Sequence, residues 1–173
     1  MPARVGYVGT QNPGDVLTSG NFDKLPGGVL GYAVKTADQT GIGTVVDITS
    51  LSIAVDFTTL GTRLVRLSAK VGVQVIYSGA VGPSAAAGFI LSIKEGATTL
   101  GGGARTYFPT SGDADDSPRM DMTTFAIISP TAASHTYKLT MEQVDPDGNI
   151  TVSVKADANY PSWIVVEDVG PAF

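Results

Sequence analysis

Between Arg63 and Tyr77 the chain reads R-L-V-R-L-S-A-K-V-G-V-Q-V-I-Y, and Val65, Leu67, Ala69, Val71, Val73, Val75 and Tyr77 all fall on odd positions. Side chains alternate faces along a strand, so this spacing sets the apolar groups on one face and Arg66, Ser68, Lys70 and Gln74 on the other. The segment is a long, half-buried antiparallel strand. The same alternation recurs in Ile53, Val55 and Phe57, in Phe89, Leu91 and Ile93, and in Tyr137, Leu139 and Met141. Strands are predicted at residues 29–35, 44–48, 52–58, 63–77, 89–94, 104–108, 121–128, 135–144, 150–156 and 163–168. Short strands at such intervals, divided by turn signals, predict an all-β antiparallel sandwich with one wet and one dry face per sheet.

The connections fit that pattern. Lys94-Glu95-Gly96 marks a tight hairpin, and Asp145-Pro146-Asp147-Gly148-Asn149 joins two well-patterned strands. The runs Ala85-Ala86-Ala87 and Gly101-Gly102-Gly103 read as low-complexity loops whose small residues either permit close approach of another chain or add flexibility. The closing segment Ser162-Trp163-Ile164-Val165-Val166-Glu167-Asp168 is apolar on both faces over its central positions, which predicts a strand buried between its own sheet and a further layer, either the opposite sheet and arm or another subunit. Trp163 is expected in the core.

Residues 1–27 differ from the rest: Q-N-P-G-D, T-S-G-N and L-P-G-G are turn formers around a short helical possibility at 18–24. They read as an arm preceding one sandwich domain, 28–173. The arm either packs on its own domain or reaches a neighbouring subunit. Val29, Leu30 and Tyr32 at the junction, with Trp163, Val165 and Val166 in the closing strand, are the expected packing or subunit contacts. Heptads and internal repeats are lacking, so any assembly must use the sandwich surfaces.

Composition narrows the function. Hydrophobic content of 43% against 16% charged residues excludes disorder, and 21 Gly with 10 Pro agrees with many turns. A net charge of −5 with scattered basic residues disfavours nucleic acid and anionic membranes. Cysteine is absent, which removes disulfides, thiolate metal sites and a cysteine nucleophile. The opening M-P-A-R-V-G-Y-V-G-T has no secretory pattern and no run is long enough for a membrane span, so synthesis in a cytoplasm is expected.

Candidate chemistry is thin. His135 is the single histidine, too few for an imidazole metal site, and is expected to be a surface or turn residue. Asp113, Asp115, Asp116 and Asp121 form an acidic run that matches no recurring calcium spacing and reads as a solvated loop. Asp145, Asp147 and Asn149 resemble the start of a calcium loop, but Ala156 stands where its closing Glu belongs. Glu142, Glu167 and Asp168 are glycosidase candidates by residue type alone. The sequon Asn149-Ile150-Thr151 has no meaning without secretion. No catalytic residue, metal or cofactor is expected. Tyr32, Tyr107, Tyr160 and Trp163 leave open a carbohydrate-binding module, with 80–87 and 111–118 as rim loops.

Three segments carry a resemblance: N-P-G-D-V-L-T-S-G-N-F-D-K-L-P-G-G; G-Y-A-V-K-T-A-D-Q-T-G-I with V-D-I-T-S-L-S-I-A-V-D-F; and W-I-V-V-E-D-V-G-P. Together they resemble small virion proteins of tailed bacteriophages infecting actinobacteria, the minor tail, head-fibre or decoration proteins. The resemblance implies a jelly roll similar to tumour-necrosis-factor and complement-type folds. It also implies a homotrimer on the virion surface, docked through the arm to tail or capsid proteins and released by lysis. A host surface glycan is the possible further partner; nucleic acid and membrane insertion are not expected.

Overall fold

The computed structural model describes residues 28–58, 63–77, 86–101, 103–109, 119–144 and 150–171. The expected arm at 1–27, with its helix, the rim loop 111–118 and the turn at 145–149 lie outside these residues. Eleven strands account for most of the described chain: β1 (Gly28–Lys35), β2 (Gln39–Thr40), β3 (Val46–Asp56), β4 (Arg63–Tyr77), β5 (Ala86–Glu95), β6 (Thr98–Thr99), β7 (Ala104–Pro109), β8 (Arg119–Ile128), β9 (Ser134–Val144), β10 (Ile150–Lys155) and β11 (Ser162–Pro171). Among the described residues no helix is long and apolar enough to cross a membrane.

Two antiparallel sheets are stacked. One runs β1-β11-β4-β8, with β10 and β2 extending it; the other runs β3-β9-β5, with β7 and β6 on the far edge of β5. Five nested pairs generate this order: β1 with β11, β2 with β10, β3 with β9, β4 with β8, and β5 with β7. That nesting of a first strand with a last, a second with a second-last, and so on inward is the jelly-roll winding. The sandwich expected from the alternating pattern is thus the fold of this chain.

The core is the sum of the inward positions. Val65, Leu67, Ala69, Val71, Val73 and Val75 of β4 meet Phe89, Leu91 and Ile93 of β5 and Tyr137, Leu139 and Met141 of β9, all at most 1% exposed. Each fully buried side chain of this size contributes about 1.5–3 kcal/mol relative to exposure. At the sheet edge Gly31 brings β1 against β3: a Cβ there would stand 2.6 Å from Ile53 Cγ2.

β4 is long enough to take two partners along one edge. β11 pairs with it over residues 63–70 and β10 over 72–77, and the two lie end to end with Gly72 opposite the end of β10. A Cβ on Gly72 would stand 2.5 Å from the Lys155 carbonyl oxygen. Only glycine lets β10 approach there.

The predicted boundaries need four corrections. The segments 44–48 and 52–58 form a single strand, β3, whose pairing with β9 is interrupted between Asp47 and Ser52 and which turns at Ser50 with φ 67°. Ala86 and Ala87 are not loop residues but the start of β5, paired with Pro109 and Phe108. The predicted hairpin at Gly96 (φ 56°) does form, but it returns through β6, only Thr98–Thr99. Finally, β11 is buried on its inner positions alone, its outer ones being half-buried, so Trp163 lies on the outer face and not in the core.

Candidate functional site

The register of the first sheet aligns its outward side chains in rows across four strands. One row is Tyr32, Val165, Ser68 and Phe125; beside it lie Val34, Trp163, Lys70 and Thr123, and then Val29, Glu167, Arg66 and Ile127. The period of two that buries Ile164 and Val166 necessarily turns Trp163 and Val165 outward. Phe125 is 66% exposed, Val29 62%, Ile127 59% and Tyr32 58%. A sheet with a finished core on one face ordinarily carries polar groups on the other. Here β1, β11 and β8 place apolar groups on the second face, while β4 between them contributes Arg66, Ser68 and Lys70.

Charge on this face is already compensated. Arg66 donates from Nε and Nη2 to Glu167 Oε2 at 3.0 and 2.8 Å, and Lys70 Nζ lies 3.0 Å from Asp121 Oδ2. Both pairs are partly exposed and add at most about 1 kcal/mol each to stability. Their effect on recognition is larger: an apolar strip with neutralised borders suits an apolar partner and offers little to a highly charged one.

The structure sorts the expected contact residues into two groups. Val29, Tyr32, Trp163 and Val165 share the outer face, whereas Val166 is fully buried and Leu30, the extra residue of a bulge in β1, packs on the core. Phe125, Ile127 and Val34 belong to the same outer face and were missed. In β8 the signal was legible: Phe125 and Ile127 alternate with the buried Met122, Thr124 and Ala126, so both faces of that strand are apolar.

The candidate chemical residues do not converge. His135 is anchored, with Nδ1 2.6 Å from Glu95 Oε1 and Nε2 3.1 Å from the Thr131 carbonyl, and its ring stacks beside Tyr137 and Phe57. It is a packed residue of β9, not a surface one. Asp168 is not a solvated strand end either: it is 3% exposed and bound by Arg63. Glu167 and Asp168 point to opposite faces, and Glu142 lies on the other sheet. Among the described residues no group of three or more His, Cys, Asp or Glu is placed to hold a metal. Asp121, from the acidic run, pairs with Lys70, while Asp113, Asp115, Asp116, Asp145, Asp147 and Asn149 lie outside the described residues. So does the side chain of Tyr107.

A second feature adjoins the apolar face beyond the Lys70–Asp121 pair. The strand break at Gly72 is the floor of a cleft of about 560 Å³, bordered by Asp121 and Arg119 of β8, Lys155 of β10, Asp38, and the loop 156–161 with Tyr160. The Asp38 carboxyl accepts from Lys155 Nζ and, at 3.0 Å, from the Ala156 N–H; these two bonds hold it below the usual carboxylate range.

No family model and no curated protein matches this sequence. Among solved structures, the tumour necrosis factor Eiger of S. frugiperda is similar at 9% identity and a TM-score of 0.41, over 82% of this chain and 94% of that one. A carbohydrate-binding module from a Cellvibrio mixtus lichenase, in complex with cellotriose, is similar at 10% identity and a TM-score of 0.25, over 84% and 99%. What defines the class of this protein is its own strand order, that of a jelly roll, with Val29, Tyr32, Phe125 and Ile127 exposed on the outer face of one sheet among the described residues.

Proposed function

We propose that this chain is a non-enzymatic structural component of a tailed-phage virion, a homotrimer built through the outer face of the β1-β11-β4-β8 sheet and attached to tail or capsid by residues 1–27. One observation carries the assembly: Tyr32, Val165 and Phe125 stand in one register row, flanked by Trp163 and Ile127, with Phe125 and Tyr32 more than half exposed. Covering a face of this kind removes apolar surface from water and so favours association. In a closed three-membered ring each copy sets this face against a different patch of its neighbour, so one repeated heterologous contact covers it in every copy. The trimer number and the virion context come from the sequence resemblance.

Sedimentation equilibrium of the purified full chain tests the assembly, with a trimer expected and a monomer at micromolar concentration overturning it. Immunogold imaging of intact particles with an antibody to this chain tests the location. Label on tail or capsid is expected, and particles without label defeat the virion reading.

A further inference from the structure

The cleft at the β10–β11 break has a feature that packing does not require. Tyr160 is 74% exposed, yet its backbone is fixed from three sides. The Asp157 carboxylate accepts from the Asn159 and Tyr160 N–H groups at 2.7 and 2.9 Å, and the Asp157 N–H donates to the Tyr160 carbonyl at 3.3 Å. Pro161 follows and restricts Tyr160 further. The turn fixes where the ring leaves the backbone, at the rim of the cleft, and a tyrosine with only two side-chain torsions to settle offers a stacking surface at small entropic cost.

The rest of the cleft supplies directional polar groups. Asp121 and Lys155 stand on opposite sides of Gly72 in the register, so a carboxylate and an ammonium flank a floor without a side chain. Ser162 Oγ accepts from the Gly72 N–H at 3.2 Å and ties that floor to β11. Among the described lining residues, Asp38, Asp121 and Asp157 against Arg119 and Lys155 give a net charge near −1 (two positive, three negative), which disfavours phosphates and acidic sugars. The volume of about 560 Å³ is in the range of small-ligand sites, roughly 300–1,000 Å³. A ligand with a flat C–H face for the ring and neighbouring hydroxyls for the carboxylate and ammonium is a sugar.

We infer that this cleft binds a neutral saccharide, with Tyr160 as the stacking platform and Asp121 and Lys155 as hydroxyl partners. The inference gives the protein a recognition site separate from the assembly face, and it stands whether or not the chain forms a trimer.

Saturation-transfer NMR on the full chain, with glucose, galactose, mannose, N-acetylglucosamine and their disaccharides at millimolar concentration, tests it. At least one neutral sugar is expected to give transfer through its ring C–H protons. Tyr160→Ala should weaken that sugar about tenfold or more, and Tyr160→Phe should retain it. Because Tyr160 is exposed, the melting temperature of both variants should match the parent, which separates lost binding from lost folding. Transfer to no member of the panel, equal affinity in Tyr160→Ala, or tighter binding of glucuronic acid than of glucose would each overturn the inference. A monomer that still binds sugar would sink only the trimer.

Discussion

Arg63 and Asp168, 105 residues apart in the chain, close one corner of the first sheet through a buried two-nitrogen ion pair. Arg63 Nε lies 3.0 and 3.1 Å from the two carboxylate oxygens, and Nη2 completes the fork. Asp168 Oδ1 also accepts from the Gly170 N–H at 2.9 Å, across the irregularity in β11 where Gly170 takes φ 124°. The pair joins the start of β4 to the end of β11, the two central strands. Removing one partner strands a buried charge, so Asp168→Leu and Arg63→Met should each cost about 3–5 kcal/mol. The double variant Arg63→Met/Asp168→Leu should recover much of that loss. Urea unfolding of the four proteins as a cycle measures it, and additive losses would show that the two residues do not act together.

Gly72 makes a sharper demand than any other described position in β4. Alanine would drive its Cβ into the Lys155 carbonyl, a backbone atom with no room to yield, and should destabilise by about 1–3 kcal/mol. Gly43 has open space around the Cβ position, and Gly43→Ala should stay within about 0.5 kcal/mol of the parent. Thermal melts of both variants decide the point.

Tyr137 buries a hydroxyl that has no hydrogen-bond partner among the described residues. Burial, with a smaller contribution from the Glu95 charge, pushes its pKa up to about 12 from 10.0. Between these values the native state keeps a proton that the unfolded chain releases, so this contribution to stability is intact below pH 10 and is lost as pH rises through 12. Tyr137→Phe should be neutral or stabilising by up to about 1 kcal/mol at pH 7 and should lose less stability from pH 10 upward. Denaturant midpoints at pH 7 and across the alkaline range give the comparison; an identical alkaline slope in both proteins would contradict it.

Ser50 takes φ 67°, a left-handed conformation, at the irregularity in β3. Glycine relieves the steric conflict of a Cβ there but frees the unfolded chain, so Ser50→Gly should shift stability by no more than about 1 kcal/mol. A bulkier β-branched residue has no such compensation. Ser50→Val should cost about 1–3 kcal/mol, readable as a lower melting temperature.

Phe125 is free of core contacts and points from β8 into the apolar face. Phe125→Glu should leave the unfolding free energy of the isolated subunit within about 0.5 kcal/mol, while placing a carboxylate in each copy of the proposed interface. Sedimentation velocity should then show monomer where the parent shows trimer. Retention of the parent profile would place the contact elsewhere.

The core positions were legible because alternation states them directly: a residue in β4, β5 or β9 that is apolar on an odd count has no stable place but the interior. His135 was misread because sequence shows only its place at the start of a strand. Glu95, forty positions away, and the Phe57 and Tyr137 rings are what make it a packed group. Trp163 is expected inside because it lies in the closing strand, yet register gives Ile164 the inner position and Trp163 the outer. The cleft was invisible, apart from Tyr160 as an aromatic candidate, because its walls come from β8, β10 and two loops that only the fold brings together.

The chain alone determined that two layers of strands would enclose a dry interior, since period-two burial is a local property that each segment carries by itself. Which strands become neighbours was left to the tertiary structure. Pairing of β4 with β8, β10 and β11 depends on long-range hydrogen bonds and on one missing Cβ at Gly72, and those pairings are what set the apolar rows and the Tyr160 cleft side by side.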